Sequence, residues 1–120
     1  MSWGAVMDKI RENVSGQLFI MPYLSFKEQS RSKGRIVAYT SASKCILETR
    51  HPKNNLKRRI KKLQDYLESS ELKEYRSKIR QILKTPWIIS TYNSKEYVKG
   101  KIEALEISIR YIDDIGLIRI

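Results

Sequence analysis

The chain has 120 residues, a formal net charge of +11, a hydrophobic share of 41% and one cysteine. This length predicts a single domain over residues 1–120 with a buried core, and the hydrophobic share argues against a disordered tail. No apolar run approaches the roughly 20 residues that cross a bilayer. One cysteine excludes an internal disulfide and a cysteine-based zinc site, so we expect an intracellular protein, in the cytoplasm or the nucleus.

The positive charge is concentrated in the first half of the sequence. Residues 1–64 contain 14 Lys and Arg against 4 Asp and Glu, whereas residues 65–120 contain 10 against 9. Residues 50–62 carry seven basic side chains and no acidic one. Such a block repels itself unless a negative partner relieves the repulsion. We therefore predict that the N-terminal half faces a polyanion or an acidic surface.

The first predicted element is a short helix that begins after Ser2 and ends at Ser15-Gly16. Its apolar residues recur at helical spacing: Trp3, Val6, Met7, Ile10 and Val14. Two strand-like segments follow at residues 17–26 and 35–40, and the polar residues 27–34 between them predict a hairpin with a basic tip. Residues 43–50 fit a third strand or a short helix.

The second half is predicted to be helical. Asn54 or Asn55 caps a helix whose apolar stripe is Leu56, Ile60, Leu63 and Leu67. A second stripe at residues 72–83 predicts another helix or the end of one kinked helix, and residues 87–92 are ambiguous. A last helix opens at Asn93 or Ser94, with Glu96 in capping-box register, and ends at Gly116. Its buried stripe is predicted to be Val98, Ile102, Leu105, Ile109 and Ile112.

Taken together, these elements predict an α+β fold. It would have an N-terminal short helix and a small antiparallel hairpin or three-stranded sheet, followed by about three helices. The apolar residues 117–120 would dock on the body of the protein or on a second subunit, which makes a homodimer one expectation.

The strongest candidate site is the basic face of the helix that begins near Leu56. Because its apolar stripe points inward, the cations cover most of the exposed arc, which suits the phosphates of a nucleic acid backbone. The same run also resembles a nuclear import signal, and a plain solvated helix face is the simpler alternative. The predicted nucleic-acid-binding residues here are Lys53, Lys57, Arg58, Arg59, Lys61 and Lys62.

A second candidate site is the predicted hairpin tip. This second basic group consists of Lys27, Arg31, Lys33 and Arg35, with Lys44 nearby. Its predicted binding residues are Arg31, Lys33 and Arg35. Exposed aromatic side chains next to such cations can stack on the bases of a single strand. The alternative is that these aromatics are core residues of the hairpin. The aromatic residues that flank this group are Tyr23, Phe26 and Tyr39.

Nothing in the sequence indicates catalysis. His51 is the only histidine and has no evident partner nucleophile, and we expect Cys45 to be a small buried apolar residue. The adjacent Asp113 and Asp114 would point about 100° apart on a helix. No glycine-rich phosphate loop is present. We therefore expect no enzyme activity, no cofactor and no metal.

These observations favour two classes of function. The first hypothesis is a small basic nucleic-acid-binding protein, RNA-binding or DNA-binding, with an accessory or regulatory role. The alternative is a protein-interaction factor, regulatory or antagonistic, that docks on an acidic partner. The composition is compatible with a small viral accessory protein. Peripheral membrane binding and a small ribonuclease that uses His51 are further, weaker hypotheses.

Overall fold

The structure is a computed structural model that describes residues 3–68 and 94–116. In chain order, its helices are α1 (Trp3–Ile20), a short 3-10 helix (Met21–Tyr23), α2 (Phe26–Glu48), α3 (Pro52–Glu68) and α4 (Ser94–Gly116). These two ranges contain no strand. The prediction of an α+β fold with a hairpin or a three-stranded sheet is therefore wrong, and the described part of the chain is all-α.

The N-terminal segment departs from the predicted hairpin at Pro22 and Ser25. Helix α1 runs past Gly16 to Ile20, and Pro22 lies at the start of the 3-10 helix, where its missing N–H is tolerated. Ser25 then caps α2: its hydroxyl accepts from the backbone N–H of Glu28, and the Glu28 carboxylate accepts from the N–H of Ser25, both at 3.3 Å. This capping box makes residues 27–34 the first turns of a helix rather than a loop.

Helix α2 packs on α4 through two stripes of small residues. Gly34 and Gly100 lie where the two backbones touch, because a Cβ on Gly34 would overlap the carbonyl oxygen of Tyr97, and one on Gly100 that of Arg31. The stripes are, on α2, Ser30, Gly34, Ala38 and Ala42 and, on α4, Gly100, Ala104 and Ser108, all buried.

This close contact explains why residues 35–40 are helical. Ile36, Val37 and Tyr39 have strand propensity, but a helix is the conformation that places Ala38 and Ala42 on the same face as Gly34. The buried hydroxyls on the stripes are satisfied within their own helices: Ser30 donates to the carbonyl oxygen of Phe26 at 3.2 Å, and Ser108 to that of Ala104 at 2.8 Å. Tertiary packing therefore outweighs local propensity here.

The predicted apolar stripes of α1, α3 and α4 form the core. The buried members are Val6, Ile10, Leu56, Leu63, Val98, Ile102, Leu105 and Ile112. Helix α2 adds Tyr39, Ile46 and the buried thiol of Cys45, which confirms the expectation for that cysteine. Helix α3 begins at Pro52, before the predicted Asn caps, whereas α4 spans the predicted range from Ser94 to Gly116.

Several sequence-based predictions fall outside the described residues. They are the cap at Ser2, the stripe at residues 72–83, the segment at residues 87–92, the cap at Asn93 and the apolar tail at residues 117–120. Among the helices that are described, none combines the length and apolar character needed to cross a membrane.

Candidate nucleic-acid interface

Helix α3 presents its cations to solvent on the side opposite its buried stripe. Leu56 and Leu63 anchor the helix in the core, and successive residues are rotated by about 100° around the axis. Of the predicted site residues, Lys57, Arg58, Arg59, Lys61 and Lys62 are all exposed. Asp65 and Glu68 follow in the last turn. Within residues 3–68 and 94–116, no ion pair involves Lys57, Arg58, Lys61 or Lys62.

Lys53 differs from the other α3 cations. Its ammonium group forms an ion pair with the carboxylate of Asp113 near the end of α4. The two side chains remain 40% and 43% exposed, so solvent screens the pair. Lys53 therefore links α3 to α4 and lies at the edge of the basic face.

The second predicted site is not a loop tip. Arg31 and Arg35 lie on α2 against α4, and both pair with Glu103 at 3.1 Å. Arg31 also lies 3.3 Å from Glu96, a carboxylate that is only 8% exposed. The buried Nε of Arg31 forms an ion pair with each of these two carboxylates. Its N–H makes no hydrogen bond with a described residue.

Lys27 and Lys33 complete this group on α2. Lys27 lies 3.6 Å from Glu96 and remains largely exposed. Lys33 is partly buried, and burial lowers its pKa. The predicted hairpin tip is wrong because residues 27–34 belong to helix α2. Three of its basic residues, Lys27, Arg31 and Arg35, pair with acids of α4.

The three aromatic residues predicted near this group separate in the structure. Tyr23 and Phe26 are 84% and 69% exposed at the α1–α2 corner, where Leu18 and Phe19 are also exposed. Tyr39 is buried, and loss of hydration raises its pKa to about 12. At a helix rise of 1.5 Å per residue, Phe26 lies about 22 Å along α2 from Ser41, which contacts α3. The exposed aromatics are thus remote from the basic face of α3.

A cleft between α2, α3 and α4 was not predicted from the sequence. Its volume is about 240 Å³, and its described lining contains three cations and no carboxylate. The polar lining consists of Ser41, Arg59, Lys62, Tyr66 and Lys101. The apolar lining consists of Ala38, Leu63 and Leu105. Two of the predicted α3 cations therefore face this cleft as well as solvent.

The cationic side chains of the cleft are held from different helices. Arg59 donates from Nε to Asn55 Oδ1 at 2.9 Å and from Nη1 to the hydroxyl of Ser41. Lys101 of α4 lies over the ring of Tyr97, 5.6 Å from its centroid. Burial lowers the pKa of Lys101, and the positive charge of Arg59 lowers it further. The sequence contains one indication that Lys101 lies close to the core. It falls at helical spacing between Val98 and Leu105, and therefore borders the buried stripe of α4.

Within the described residues, no hydrogen bond or ion pair joins His51 to Cys45 or to a carboxylate. His51 is exposed in the connection before α3, and Cys45 is buried with its sulfur 3.6 Å from the hydroxyl of Thr49. Asp113 pairs with Lys53. The described residues bring together no group of three or more His, Cys, Asp or Glu side chains that could hold a metal ion.

Comparison with known proteins adds no constraint on the interpretation of this geometry. No family model, no curated protein and no solved structure matches the chain.

Proposed function

We propose that the protein binds nucleic acid through the exposed face of α3, defined as Lys57, Arg58 and Lys61. One observation carries this proposal. These cations occupy the outer arc of a helix whose inner stripe is buried, and no carboxylate of the described residues pairs with them. Their charge is therefore available to an external anion, unlike that of Arg31 and Arg35.

The spacing of the α3 cations suits a polyanion. Lys57 and Lys61 lie one turn apart on one edge, and Arg58 lies on the outermost side of the same turn. A row of phosphates satisfies several such cations at once, and release of the condensed counterions favours binding. Arginine offers two parallel donors to one phosphate, whereas lysine acts as a mobile point charge.

The test is fluorescence anisotropy with labelled single-stranded and double-stranded RNA and DNA over a series of salt concentrations. We expect log K to fall linearly with log salt concentration, with a slope of about −0.9 for each phosphate contacted on duplex and −0.7 on single strands. The variant K57Q/R58Q/K61Q should weaken binding by roughly a hundredfold or more, because three charge-assisted contacts are lost. Its circular dichroism should be unchanged, because all three side chains are exposed.

The matched control is K9Q/R11Q/K44Q, which removes three exposed cations from α1 and α2. It lowers the net charge by the same amount and should weaken binding much less. Equal losses in the two triple variants would show that binding follows net charge rather than the α3 face. Absence of binding to all four probes at low salt would refute the proposal. A pull-down that survives nuclease and high salt would instead support the alternative of an acidic protein partner.

A further inference from the structure

The cleft between α2, α3 and α4 differs from an ordinary surface groove in its charge. Arg59 and Lys62 reach it from α3, and Lys101 reaches it from α4. The described residues contribute no carboxylate to its lining, although acids occur elsewhere on both helices. A second groove, between α1 and α2, has Arg11 as its cation, and that cation pairs with Asp8 at 3.4 Å.

The polar groups of the cleft are donors of the kind that bind oxyanions. Guanidinium and ammonium groups donate only, and the hydroxyl of Ser41 can donate as well. The hydrogen bonds of Arg59 to Asn55 and Ser41 fix its guanidinium at the rim before any ligand arrives. A prearranged donor loses less freedom on binding than a mobile one.

Bringing these cations together costs repulsion, which is evident at Lys101. Its pKa is lowered by burial and by the charge of Arg59. A bound anion would relieve that repulsion and favour the charged ammonium. The rest of the lining is apolar and consists of Ala38, Leu63 and Leu105.

We propose that this cleft binds a phosphate monoester, which in a nucleic acid is the terminal phosphate of a strand. A monoester carries about −1.5 to −2 charges at pH 7 and presents three oxygens, so it matches three cations better than the singly charged diester of an internal linkage. The volume of about 240 Å³ is below the roughly 300–1,000 Å³ of pockets for drug-sized molecules, and it suits a phosphoryl group with the sugar attached to it.

The assignment of a strand end, as opposed to a free phosphate, rests on the proposed function. Lys62 connects the two surfaces, because it follows Lys61 on α3 and also lines the cleft. A strand could therefore place its terminal phosphate in the cleft and its next backbone phosphates along the exposed face of α3. The proposal that the cleft binds a phosphate monoester does not depend on nucleic acid binding.

The experiment compares oligonucleotides of one sequence that carry a 5′-phosphate, a 3′-phosphate or hydroxyls at both ends. We expect one of the phosphorylated ends to bind about tenfold tighter than the hydroxyl ends, which is the effect of one strong charge-assisted contact. The variant K101Q should remove this preference and leave the affinity for hydroxyl ends nearly unchanged. K57Q, outside the cleft, should weaken all three oligonucleotides by the same factor. K62Q is a second cleft variant should K101Q fail to fold.

A parallel titration with adenosine monophosphate and inorganic phosphate, followed by amide chemical shifts, separates the two proposals. If no nucleic acid binds but adenosine monophosphate shifts the amides near Ser41 and Lys101, the nucleic acid function fails and the cleft proposal survives. If inorganic phosphate gives the same shifts and phosphorylated ends give no advantage, the ligand is a free phosphate group rather than a strand end. The cleft proposal is overturned if neither compound binds, or if the preference for phosphorylated ends persists in both K101Q and K62Q.

Discussion

The basic residues of α2 and those of α3 look alike in the sequence and lie in opposite environments in the structure. Arg31 and Arg35 of α2 face α4 and pair with Glu96 and Glu103. Lys57, Arg58 and Lys61 of α3 face solvent and have no carboxylate partner among the described residues. The α2 cations Arg31 and Arg35 help to hold two helices together, whereas the α3 cations Lys57, Arg58 and Lys61 are exposed to solvent.

This contrast shows that basic residues in a charge-unbalanced stretch of sequence can be paired with acids from a distant segment. The acids that pair with Arg31 and Arg35 come from α4, and Arg35 and Glu103 are 68 residues apart. Helix α4 therefore places carboxylates next to cations of the basic first half of the chain. It does so beside α2 and, through Asp113, at the first turn of α3. Among the described residues, Lys57, Arg58, Lys61 and Lys62 of α3 keep no carboxylate partner.

The largest effect is expected where the α2–α4 contact is closest. We expect Gly34→Ala to destabilise the protein by about 3 kcal/mol or more, because its new Cβ would overlap the backbone oxygen of Tyr97, which cannot move aside alone. Gly16→Ala is the matched control, since no atom lies within 4 Å of its added Cβ, and it should stabilise α1 by up to about 1 kcal/mol. Urea unfolding followed by circular dichroism measures both. Equal stability of the two variants would mean that α2 and α4 do not touch at Gly34.

The next largest effect is the loss of stability when a buried carboxylate of α4, rather than an exposed one, loses its charge. Glu96→Gln removes the charge that faces Arg31, Lys27 and Lys99, and we expect a loss of about 2 kcal/mol because Arg31 keeps a buried and less compensated nitrogen. Glu106→Gln changes an exposed carboxylate and should stay within about 0.5 kcal/mol of the parent protein. Should both variants unfold at the same urea concentration, the α2 cations would not be structural.

The sequence predicted those parts of the fold that depend on local periodicity. The stripe Val98, Ile102, Leu105 and Ile112 located α4, and Leu56 and Leu63 located the inner side of α3 and hence its basic outer side. These inferences need nothing beyond the 3.6-residue period and the preference of apolar side chains for the interior. They hold because both helices have one apolar and one polar side.

The sequence failed where the structure depends on contacts between distant segments. Ile36 and Val37 favour a strand locally, but the close contacts of Gly34 with Tyr97 and of Gly100 with Arg31 favour a helix. The pairing of Arg31 with Glu96 likewise has no local signal. The cleft was missed for the same reason, since Lys101 joins Arg59 and Lys62 from another helix. The stripe of small residues at every fourth position from Ser30 to Ala42 was a usable signal for α2.

The salt dependence of nucleic acid binding compares the two sets of cations directly. We expect Lys57→Gln to reduce the slope of log K against log salt concentration by about 0.9 on duplex DNA, because one phosphate contact is lost. Arg35→Gln should leave the slope unchanged, because that guanidinium is already paired with Glu103 and bound to Gln17. Both variants remove one positive charge. An equal change of slope in the two would indicate that the protein acts through its overall charge, and the distinction between α2 and α3 would be lost.

The smallest effect concerns Lys53, which lies on the basic helix but is paired with an acid as the α2 cations are. The Lys53–Asp113 pair is about 40% exposed on both sides, so a double-mutant cycle with Lys53→Met and Asp113→Asn should give a coupling of about 0.5 kcal/mol. Urea unfolding of the four proteins supplies that value. A coupling above about 2 kcal/mol would place Lys53 with Arg31 and Arg35 as a structural residue. With weak coupling, the ammonium can exchange Asp113 for a phosphate, and Asp113→Asn should then tighten nucleic acid binding about twofold. Lys53 would in that case mark the edge at which the structural cations end and the binding surface begins.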